Sequence, residues 1–336
     1  MATPFPSTSR PGHGTIHLSL LPPCTPALRT LSYQYPLKLI APSPLPLPLP
    51  LPEFSSLAPL IHTVFLLTYG GGLVAGDTLH IEVVLARSTR LVLLTQGSTK
   101  VFKAPGREVV STQRMRVRLE GGAALCYLPD PVQPFRDSVF EARQIYELVG
   151  GAGEGGASLC VCDWVSEGRT ARGEKWDFWR YGSRSEVWGV DEQGKRRLLV
   201  RDNIILDEEE KTRDRITGRL DGLGVFGTLI LGGPVFEGLG RYLMDEFERL
   251  PRIGARNWDA VDEEVEVKED EVRRRARLKR EARDGVIWTA ARVRGFVLVK
   301  FGAREVEGAR IWLSHMLRTE GSVEGSFGER ALLCLR

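Results

Sequence analysis

Six carboxylates lie next to expected strand ends and turns, and one of them is in an unexpected environment. They are Asp77, Asp130, Asp137, Asp163, Glu174 and Asp202. An aspartate in a turn commonly accepts hydrogen bonds from the nearby backbone, which accounts for Asp77 and Asp130. Asp163 instead lies inside the apolar run "CVCDWV". A buried carboxylate costs several kcal/mol unless it is paired, hydrated or bound to a metal, so Asp163 is the strongest candidate for a functional residue.

A pair of cysteines lies next to this aspartate. Cys160 and Cys162 are two residues apart, so in a strand both thiols point to the same face. Two such soft ligands suit Zn, Ni or Cu. Unpaired cysteine is also among the residue types most often buried in protein cores. The sequence leaves both interpretations open and favours an ordinary core position.

The stretch "LLTQGSTKVFK" (Leu93–Lys103) combines a glycine, hydroxyls and lysines, as phosphate-binding loops do. Such a loop needs the order G-x-x-x-x-G-K-S/T. Here Ser98 and Thr99 separate Gly97 from Lys100, and the following residues alternate as in a strand. The sequence also lacks HExxH, GxSxG, Rossmann and paired CxxC patterns. We therefore expect no enzymatic activity.

The composition narrows the classes of partner. The 336 residues carry a net charge of only +3, with 26% charged residues, so the chain as a whole lacks the field of a nucleic-acid or membrane-surface binder. No apolar run reaches the roughly 18 residues of a membrane span, and the first residues do not read as a secretory signal. Five cysteines are too few for a disulfide framework in a chain of this length. We expect a cytoplasmic protein.

The elements that position these residues are predicted to be strands. From Ile61 to about Leu206, short β-branched or alternating runs end at Gly, Pro or Asp. A weak repeat runs through this region, because Leu91, Leu125 and Leu159 are 34 residues apart and each follows a turn. Stacked strand–turn–strand units bury their apolar faces against their neighbours. We predict a mainly β fold of helically stacked antiparallel β-sheets, solenoid-like, with a few C-terminal α-helices.

The rest of the chain divides by composition. We expect residues 1–31, rich in Pro, Ser and Thr, to be a disordered tail, and residues 32–336 to form a single domain. Alternating prolines within 41–53 predict a polyproline II surface insertion rather than a docking ligand. Residues 252–284 are predicted to be a second insertion, solvated or disordered, because their acidic half cancels the field that a nucleic-acid arm would need. Helical apolar spacing begins at about residue 234.

Five blocks of the sequence carry a family resemblance. They are "GGLVAGD" (Gly71–Asp77), "LLTQGSTKVFK" (Leu93–Lys103), "YLPDPVQPFRDSVFEARQIYEL" (Tyr127–Leu148), "DWVSEGRTARGEKW" (Asp163–Trp176) and "LLVRDNIIL" (Leu198–Leu206). In this order and at these separations they resemble the urease accessory protein UreD family, called UreH in some organisms. The resemblance runs from about Ser32 to Ile230 and, more loosely, through the C-terminal helices.

The resemblance implies a non-enzymatic scaffold in the complex that matures urease. Such a protein docks on apo-urease together with UreF and the GTPase UreG, and Ni²⁺ passes from the GTPase through an internal channel to the urease active site. By position, the family's channel residues correspond here to Asp77, Thr99, Asp163 and Asp202, to which we add Glu174 from "RGE". Carboxylate and hydroxyl oxygens bind Ni²⁺, and a conduit must also release it. The resemblance implies transient Ni²⁺ and no tightly bound cofactor.

A second function class stays open. The protein could be a polypeptide-binding scaffold that holds urease and its GTPase together without touching nickel, with the acids in structural roles. The two insertions depart from the family pattern, which leaves any partner surface near them undefined. Nickel loading of urease, measured while complex formation is intact, distinguishes the two classes.

Overall fold

Two β-sheets and a layer of helices make up the part of the chain that the structure, a computed structural model, describes: residues 10–47, 60–150, 155–208, 216–250 and 269–336. The strands are β1 (His13–Leu21), β2 (Thr25–Tyr33), β3 (Leu37–Ile40), β4 (Leu45–Pro46), β5 (Leu60–Thr68), β6 (Gly72–Leu73), β7 (Thr78–Leu85), β8 (Arg90–Leu94), β9 (Thr99–Val101), β10 (Ser111–Leu119), β11 (Ala124–Tyr127), β12 (Val132–Pro134), β13 (Val139–Val149), β14 (Ser158–Ser166), β15 (Arg180–Val190), β16 (Arg196–Asp207), β17 (Val225–Gly232), β18 (Ile287–Val293) and β19 (Phe296–Ala303). The helices are α1 (Ile216–Arg219), α2 (Glu237–Glu248), α3 (Glu269–Asp284), α4 (Val306–Glu320) and α5 (Ser322–Phe327), with short 3₁₀ helices at Tyr69–Gly71, Thr170–Arg172, Pro234–Phe236 and Glu329–Leu335. None of these helices combines the length and the apolarity needed to cross a membrane.

The two sheets differ in size and in surroundings. The seven-stranded sheet, which we call the outer sheet, has the order β16-β15-β13-β10-β7-β1-β2. The twelve-stranded sheet, which we call the central sheet, has the main run β18-β19-β17-β14-β11-β8-β5-β3, with β12, β9, β6 and β4 beside it. One hydrophobic cluster fills the space between the two sheets. A second cluster joins the central sheet to α2, α4 and α5.

Burial follows this layering. Every residue of β14, in the central sheet, is buried, because one face meets the outer sheet and the other meets the helices. In β10, in the outer sheet, buried residues mostly alternate with exposed ones, as expected for a strand with one face in solvent. The mainly β prediction with C-terminal helices is confirmed, although β18 and β19 form a hairpin between α3 and α4.

The prediction of antiparallel sheets is wrong for the middle of the fold. From β7 to β15, the long strands alternate between the outer and the central sheet. Each return to the same sheet completes one turn of chain, so neighbouring strands run parallel. Antiparallel pairs occur at the margins, as in β1/β2, β15/β16, β14/β17 and β17/β19. Alternating runs and glycine turns do not distinguish a hairpin from a crossing to the facing sheet.

The weak sequence repeat corresponds to one such turn of chain. Leu125 is in register with Leu91 on one side and with Leu159 on the other. In the outer sheet, Thr112 is in register with Thr78, also 34 positions away. Equal turn lengths therefore bring equivalent positions of successive units side by side. The solenoid-like description of the whole fold stays a prediction.

The predicted disordered tail is wrong from residue 13 onward. β1 pairs in parallel with β7 and in antiparallel with β2, and Ile16 and Leu18 are fully buried between the sheets. The alternation in "TIHLSLL" is typical of a half-buried strand, and it outweighs the Pro- and Thr-rich composition on either side. Residues 1–9 lie outside the described residues.

The two predicted insertions are partly integrated into the fold. β4 pairs with β5, and Leu47 is buried in the cluster beneath the helices, so residues 41–47 are not a free surface loop; residues 48–53 lie outside the described residues. Of the charged segment, residues 252–268 also lie outside them. Its remaining part is α3, which packs against α4 and is not a free solvated helix.

A buried ion cluster fastens α3 to its neighbours. The Arg277 guanidinium, with only 4% of its side chain exposed, pairs with Glu246 of α2 at 2.5 Å and with Glu281 at 3.0 Å. Glu281 also accepts a hydrogen bond from the Trp312 indole of α4 at 3.1 Å. Glu246 also pairs with Arg274 at 3.3 Å, so removal of Arg277 chiefly leaves the buried Glu281 carboxylate without its cation.

Arg277→Ala should therefore lower the free energy of unfolding by about 3 kcal/mol or more, as breaking a buried pair typically does. Urea denaturation followed by circular dichroism measures the change. Arg275→Ala is the matched control, because Arg275 pairs with Glu271 of the same helix at an exposed site and such pairs contribute about 0.5 kcal/mol. Equal losses in the two variants would show that α3 is not fastened through Arg277.

Candidate functional site

Asp163 points into the space between the two sheets. Side chains alternate along a strand, and in β14 the neighbours Cys162 and Trp164 belong to the cluster beneath the helices, whereas Val161 and Val165 belong to the cluster between the sheets. Asp163 shares the direction of the two valines. This orientation agrees with the period-two pattern of "CVCDWV".

The outer sheet supplies the partners of the Asp163 carboxylate. The Ser183 and Ser185 hydroxyls of β15 donate hydrogen bonds to its Oδ2 at 2.5 and 3.2 Å. Burial raises the pKa of the Asp163 carboxyl above its ordinary value; the two serine hydroxyls oppose this rise, and the negative charge of Asp202 adds to it. Asp163 and Asp202 are therefore close enough to interact electrostatically.

Asp202 has the reverse arrangement. It belongs to β16 of the outer sheet, and its partners belong to the central sheet: the Thr228 hydroxyl donates to Oδ2 at 2.8 Å, and the Lys300 ammonium pairs with Oδ1 at 2.7 Å. Each sheet thus contributes one buried aspartate, and the facing sheet contributes the donors. The Lys300 side chain is 40% exposed, so the polar group reaches solvent on this side.

Strand register assembles this group of side chains. In the central sheet Asp163 is in register with Thr228, and Thr228 with Lys300. In the outer sheet Ser185 is in register with Asp202. These five side chains, one from each of five strands, form two facing rows, and Ser183 of β15 joins the row of the outer sheet. We call Asp163, Ser183, Ser185, Asp202, Thr228 and Lys300 the inter-sheet polar layer.

A cavity of about 40 Å³ lies next to this layer, enough for a water molecule. Polar residues lining it are Thr68, Thr95, Thr99, Gln113, Tyr127, Asp130, Gln144, Asp163 and Tyr181. Burial raises the pKa of the Tyr127, Tyr146 and Tyr181 hydroxyls, so these groups stay neutral donors and acceptors. The cavity extends the polar lining away from Asp163 towards the loop after β8.

The structure brings together only some of the residues that the sequence singled out. Asp163 and Asp202 interact, and Thr99 lines the same cavity as Asp163. Asp77 accepts a hydrogen bond from the Val74 amide at 2.8 Å, which is a turn role. Glu174 is held by Arg169 in a bidentate contact, and this contact lowers the pKa of the Glu174 carboxyl.

The two cysteines face away from the polar layer. Cys160 and Cys162 lie in the apolar cluster beneath the helices, on the opposite face of β14 from Asp163. Burial raises the pKa of the Cys162 thiol, which disfavours the thiolate that binds metals. Within the described ranges, no group of three or more His, Cys, Asp or Glu side chains is arranged to hold a metal ion. This environment favours the core interpretation.

Asp130 is a buried anchor that the sequence analysis misassigned to a local turn role. Its carboxylate accepts hydrogen bonds from the Thr95 hydroxyl, the Gly97 amide and the Arg310 guanidinium of α4, at 3.2, 2.9 and 2.5 Å. These partners are distant in sequence, so Asp130 ties the "TQG" loop to the helix layer. The apolar flank "LCYLP" was the only signal of burial, and the partners leave no pattern in the sequence.

Comparison with known proteins identifies the family. The sequence matches the UreD urease accessory protein family over residues 13–331. The chain belongs to the UreD family. It is 31% identical to urease accessory protein 4 of Cryptococcus neoformans over 95% of this chain and 93% of that protein. It is 30% identical to UreD of Anaeromyxobacter over 87% of this chain and 80% of that protein, and 29% identical to urease accessory protein D of Arabidopsis thaliana over 65% and 67%.

Membership of the UreD family implies a role in urease maturation and suggests an accessory rather than a catalytic part in it. The polar layer agrees with such a part. Its oxygens are of the kind that bind a hard or borderline divalent cation. The match begins at residue 13, which is where β1 begins.

The raised pKa of Asp163 predicts a pH-dependent effect of its neutral replacement. The folded chain holds the Asp163 proton more tightly than the unfolded chain, so the stability from protonation is present below about pH 4 and is lost as the pH rises through the folded-state value. Asp163→Asn is neutral at every pH. The free energy of unfolding of this variant, relative to that of the unmodified protein, should rise with pH above about 4. The total rise should be about 1.4 kcal/mol for each factor of ten by which folding strengthens proton binding at Asp163.

Urea unfolding at a series of pH values measures this difference. Glu141→Gln serves as the control for loss of one negative charge, because Glu141 is a half-exposed residue of the outer sheet. A difference between Asp163→Asn and the unmodified protein that stays constant or shrinks with rising pH would contradict the desolvation of Asp163.

Proposed function

We propose that this protein matures urease by passing Ni²⁺ through the inter-sheet polar layer, with Asp163 and Asp202 as successive transient ligands. The observation that carries the proposal is the reciprocal placement of the two buried aspartates, one from each sheet, each held by donors of the facing sheet. A core that served only stability would gain from apolar residues at these positions. Nickel transfer gives the two carboxylates a reason to be buried.

The donor set suits a cation in transit. Ni²⁺ accepts carboxylate, hydroxyl and water oxygens, and all three kinds of ligand fit a polar layer next to a water-sized cavity. Passage requires several weak sites rather than one strong site. Thr99 would contribute at the cavity end. Asp77 and Glu174 lie outside that cavity's lining, so their part in the path rests on the family resemblance alone.

Lys300 weakens binding at one end of the layer. Its ammonium already neutralises Asp202 at 2.7 Å, so an arriving cation must displace it. When Ni²⁺ replaces the Lys300 ammonium, Asp202 stays neutralised throughout. This exchange costs less free energy than leaving the buried carboxylate without any cation. The half-exposed Lys300 side chain can move towards solvent during the exchange, which makes this end a release position.

The proposed partners are apo-urease, UreF and the GTPase UreG, with Ni²⁺ as cargo rather than as a resident cofactor. A conduit accepts its cargo from one protein and delivers it to another, so both ends of the layer must meet a partner. The cytoplasm is the compartment we propose, because five cysteines without a disulfide framework suit a reducing environment.

A second candidate function is a scaffold that never touches nickel. One observation favours it: the carboxylates of the polar layer are already satisfied by serine, threonine and lysine donors. Such a network can fix the relative position of the two sheets without any cargo. The two candidates differ in what happens when one carboxylate is removed.

Asp163→Leu should separate them. The variant loses the desolvation cost of the carboxylate but leaves two serine hydroxyls unpaired, at about 1–3 kcal/mol each, so we expect a folded protein of slightly lower stability. We expect it to co-purify with UreF and UreG and to yield urease with much less nickel. Metal analysis of urease matured with each variant is the measurement.

Asp191→Asn is the control, because Asp191 is an exposed turn residue that accepts from the Lys195 amide, and it should leave the nickel content unchanged. Normal nickel loading by Asp163→Leu, with complex formation intact, would exclude the conduit and support the scaffold. Loss of the complex itself would exclude a role for Asp163 confined to nickel.

A further inference from the structure

A row of polar side chains with three arginines at its centre crosses the solvent face of the outer sheet. Strand register aligns one residue from each of six neighbouring strands in this row. In order across the sheet they are His13, His80, Arg114, Arg143, Arg184 and Asn203. Neighbouring strands are about 4.8 Å apart, and like charges directly opposite each other on a sheet are destabilising. This row costs stability that a purely structural surface would avoid.

A buried glutamate next to the row holds one of its arginines, Arg143, in place. Glu186, with 1% of its side chain exposed, accepts contacts from Arg143 at 3.2 Å and Arg201 at 3.0 Å. Such a pairing of two guanidinium groups with one carboxylate leaves one positive charge in excess. It also fixes the planar groups, which reduces the entropy lost when they bind a further carboxylate.

The same pairing occurs a second time on this face. Glu147, with 4% of its side chain exposed, is bridged by Arg116 and Arg196, each at 2.8 Å. Arg114, in the middle of the row, forms no ion pair with any described residue. Its charge contributes to the lowered pKa of His80, after burial and the neighbouring His13. The face therefore carries an uncompensated positive charge at its centre.

A groove of about 550 Å³ runs over the row. Five arginines and two glutamates line it. Three of these arginines, Arg116, Arg143 and Arg180, pair with glutamates, so the other two remain available to a ligand. Ile145 and Ile205 also line it, and Ile205 is 59% exposed. Arginines next to exposed apolar residues are typical of protein-binding surfaces.

We propose that this groove binds an acidic segment of a partner protein, with carboxylates of that segment meeting Arg114 and Arg184. Guanidinium groups bind carboxylates in bidentate geometry. The inference does not depend on nickel conduction, because the row lies on the opposite face of the outer sheet from Ser183 and Ser185.

A protein segment fits this groove better than a nucleic acid does. Single-stranded nucleic acids are bound through aromatic side chains on which bases stack, and the residues that line the groove include no Phe, Tyr or Trp. Glu82 and Glu141 also lie in the groove, where they would repel a continuous phosphate backbone. Carboxylates on a polypeptide can be spaced to avoid them.

Binding of a fluorescein-labelled oligoglutamate peptide to the full chain, followed by fluorescence anisotropy at low salt, tests the proposal. The test variant is Arg114→Gln with Arg184→Gln, neither of which holds a buried glutamate. The control is Arg241→Gln with Arg292→Gln, two exposed arginines outside the outer sheet, which removes the same charge. We expect the test variant to weaken binding about tenfold and the control to change it little.

Three results would overturn the proposal. The first is no binding of the peptide by the unmodified protein. The second is an equal loss in the test and control variants, which would mean that only net charge matters. The third is tighter binding of a single-stranded RNA of equal charge, lost in the same test variant, which would assign the groove to nucleic acid.

Discussion

The in-register pairing of strands, parallel in the middle of the fold and antiparallel at its margins, places the side chains of the inter-sheet polar layer and of the row on the outer sheet. A strand has only two faces, and a shift of register by one residue would exchange them. The apolar alternation of each unit therefore fixes which residues enter the space between the sheets and which meet solvent. Asp163, Ser185 and Asp202 occupy inward positions and therefore meet in one layer between the sheets. Arg143 and Arg184 occupy outward positions and therefore lie side by side in the row on the outer sheet.

The cost of burying two carboxylates then shapes the chemistry. Each aspartate is held by hydroxyl donors of the facing sheet, and only Asp202 has a cation beside it. Asp163 is thus the less neutralised of the two, with a raised pKa. A divalent cation entering the layer would relieve the repulsion between them. The proposed nickel passage rests on this property of the layer.

Much of the fold could be predicted from local patterns. The β-branched runs correctly predict strands. The 34-residue spacing of Leu91, Leu125 and Leu159 corresponds to one turn of chain. Period-two alternation gives the inward direction of Asp163. The parallel pairing could not be predicted, because it depends on which sheet each turn leads to. The first strand was missed because composition was weighed above the alternation around Ile16.

The candidate site was predicted only in part. A single acid inside an apolar run reveals its own burial, as for Asp163, but not its partners. Ser183, Thr228 and Lys300 carry no local signal, since each acts only through cross-sheet or cross-strand geometry.

The most direct test of nickel passage is an anomalous difference map, at the nickel absorption edge, of crystals soaked in a Ni²⁺ salt. The account predicts a peak between Asp163 and Asp202 that disappears in Asp163→Leu. Nickel bound only at surface positions, such as the stacked His13 and His80 rings, would contradict it.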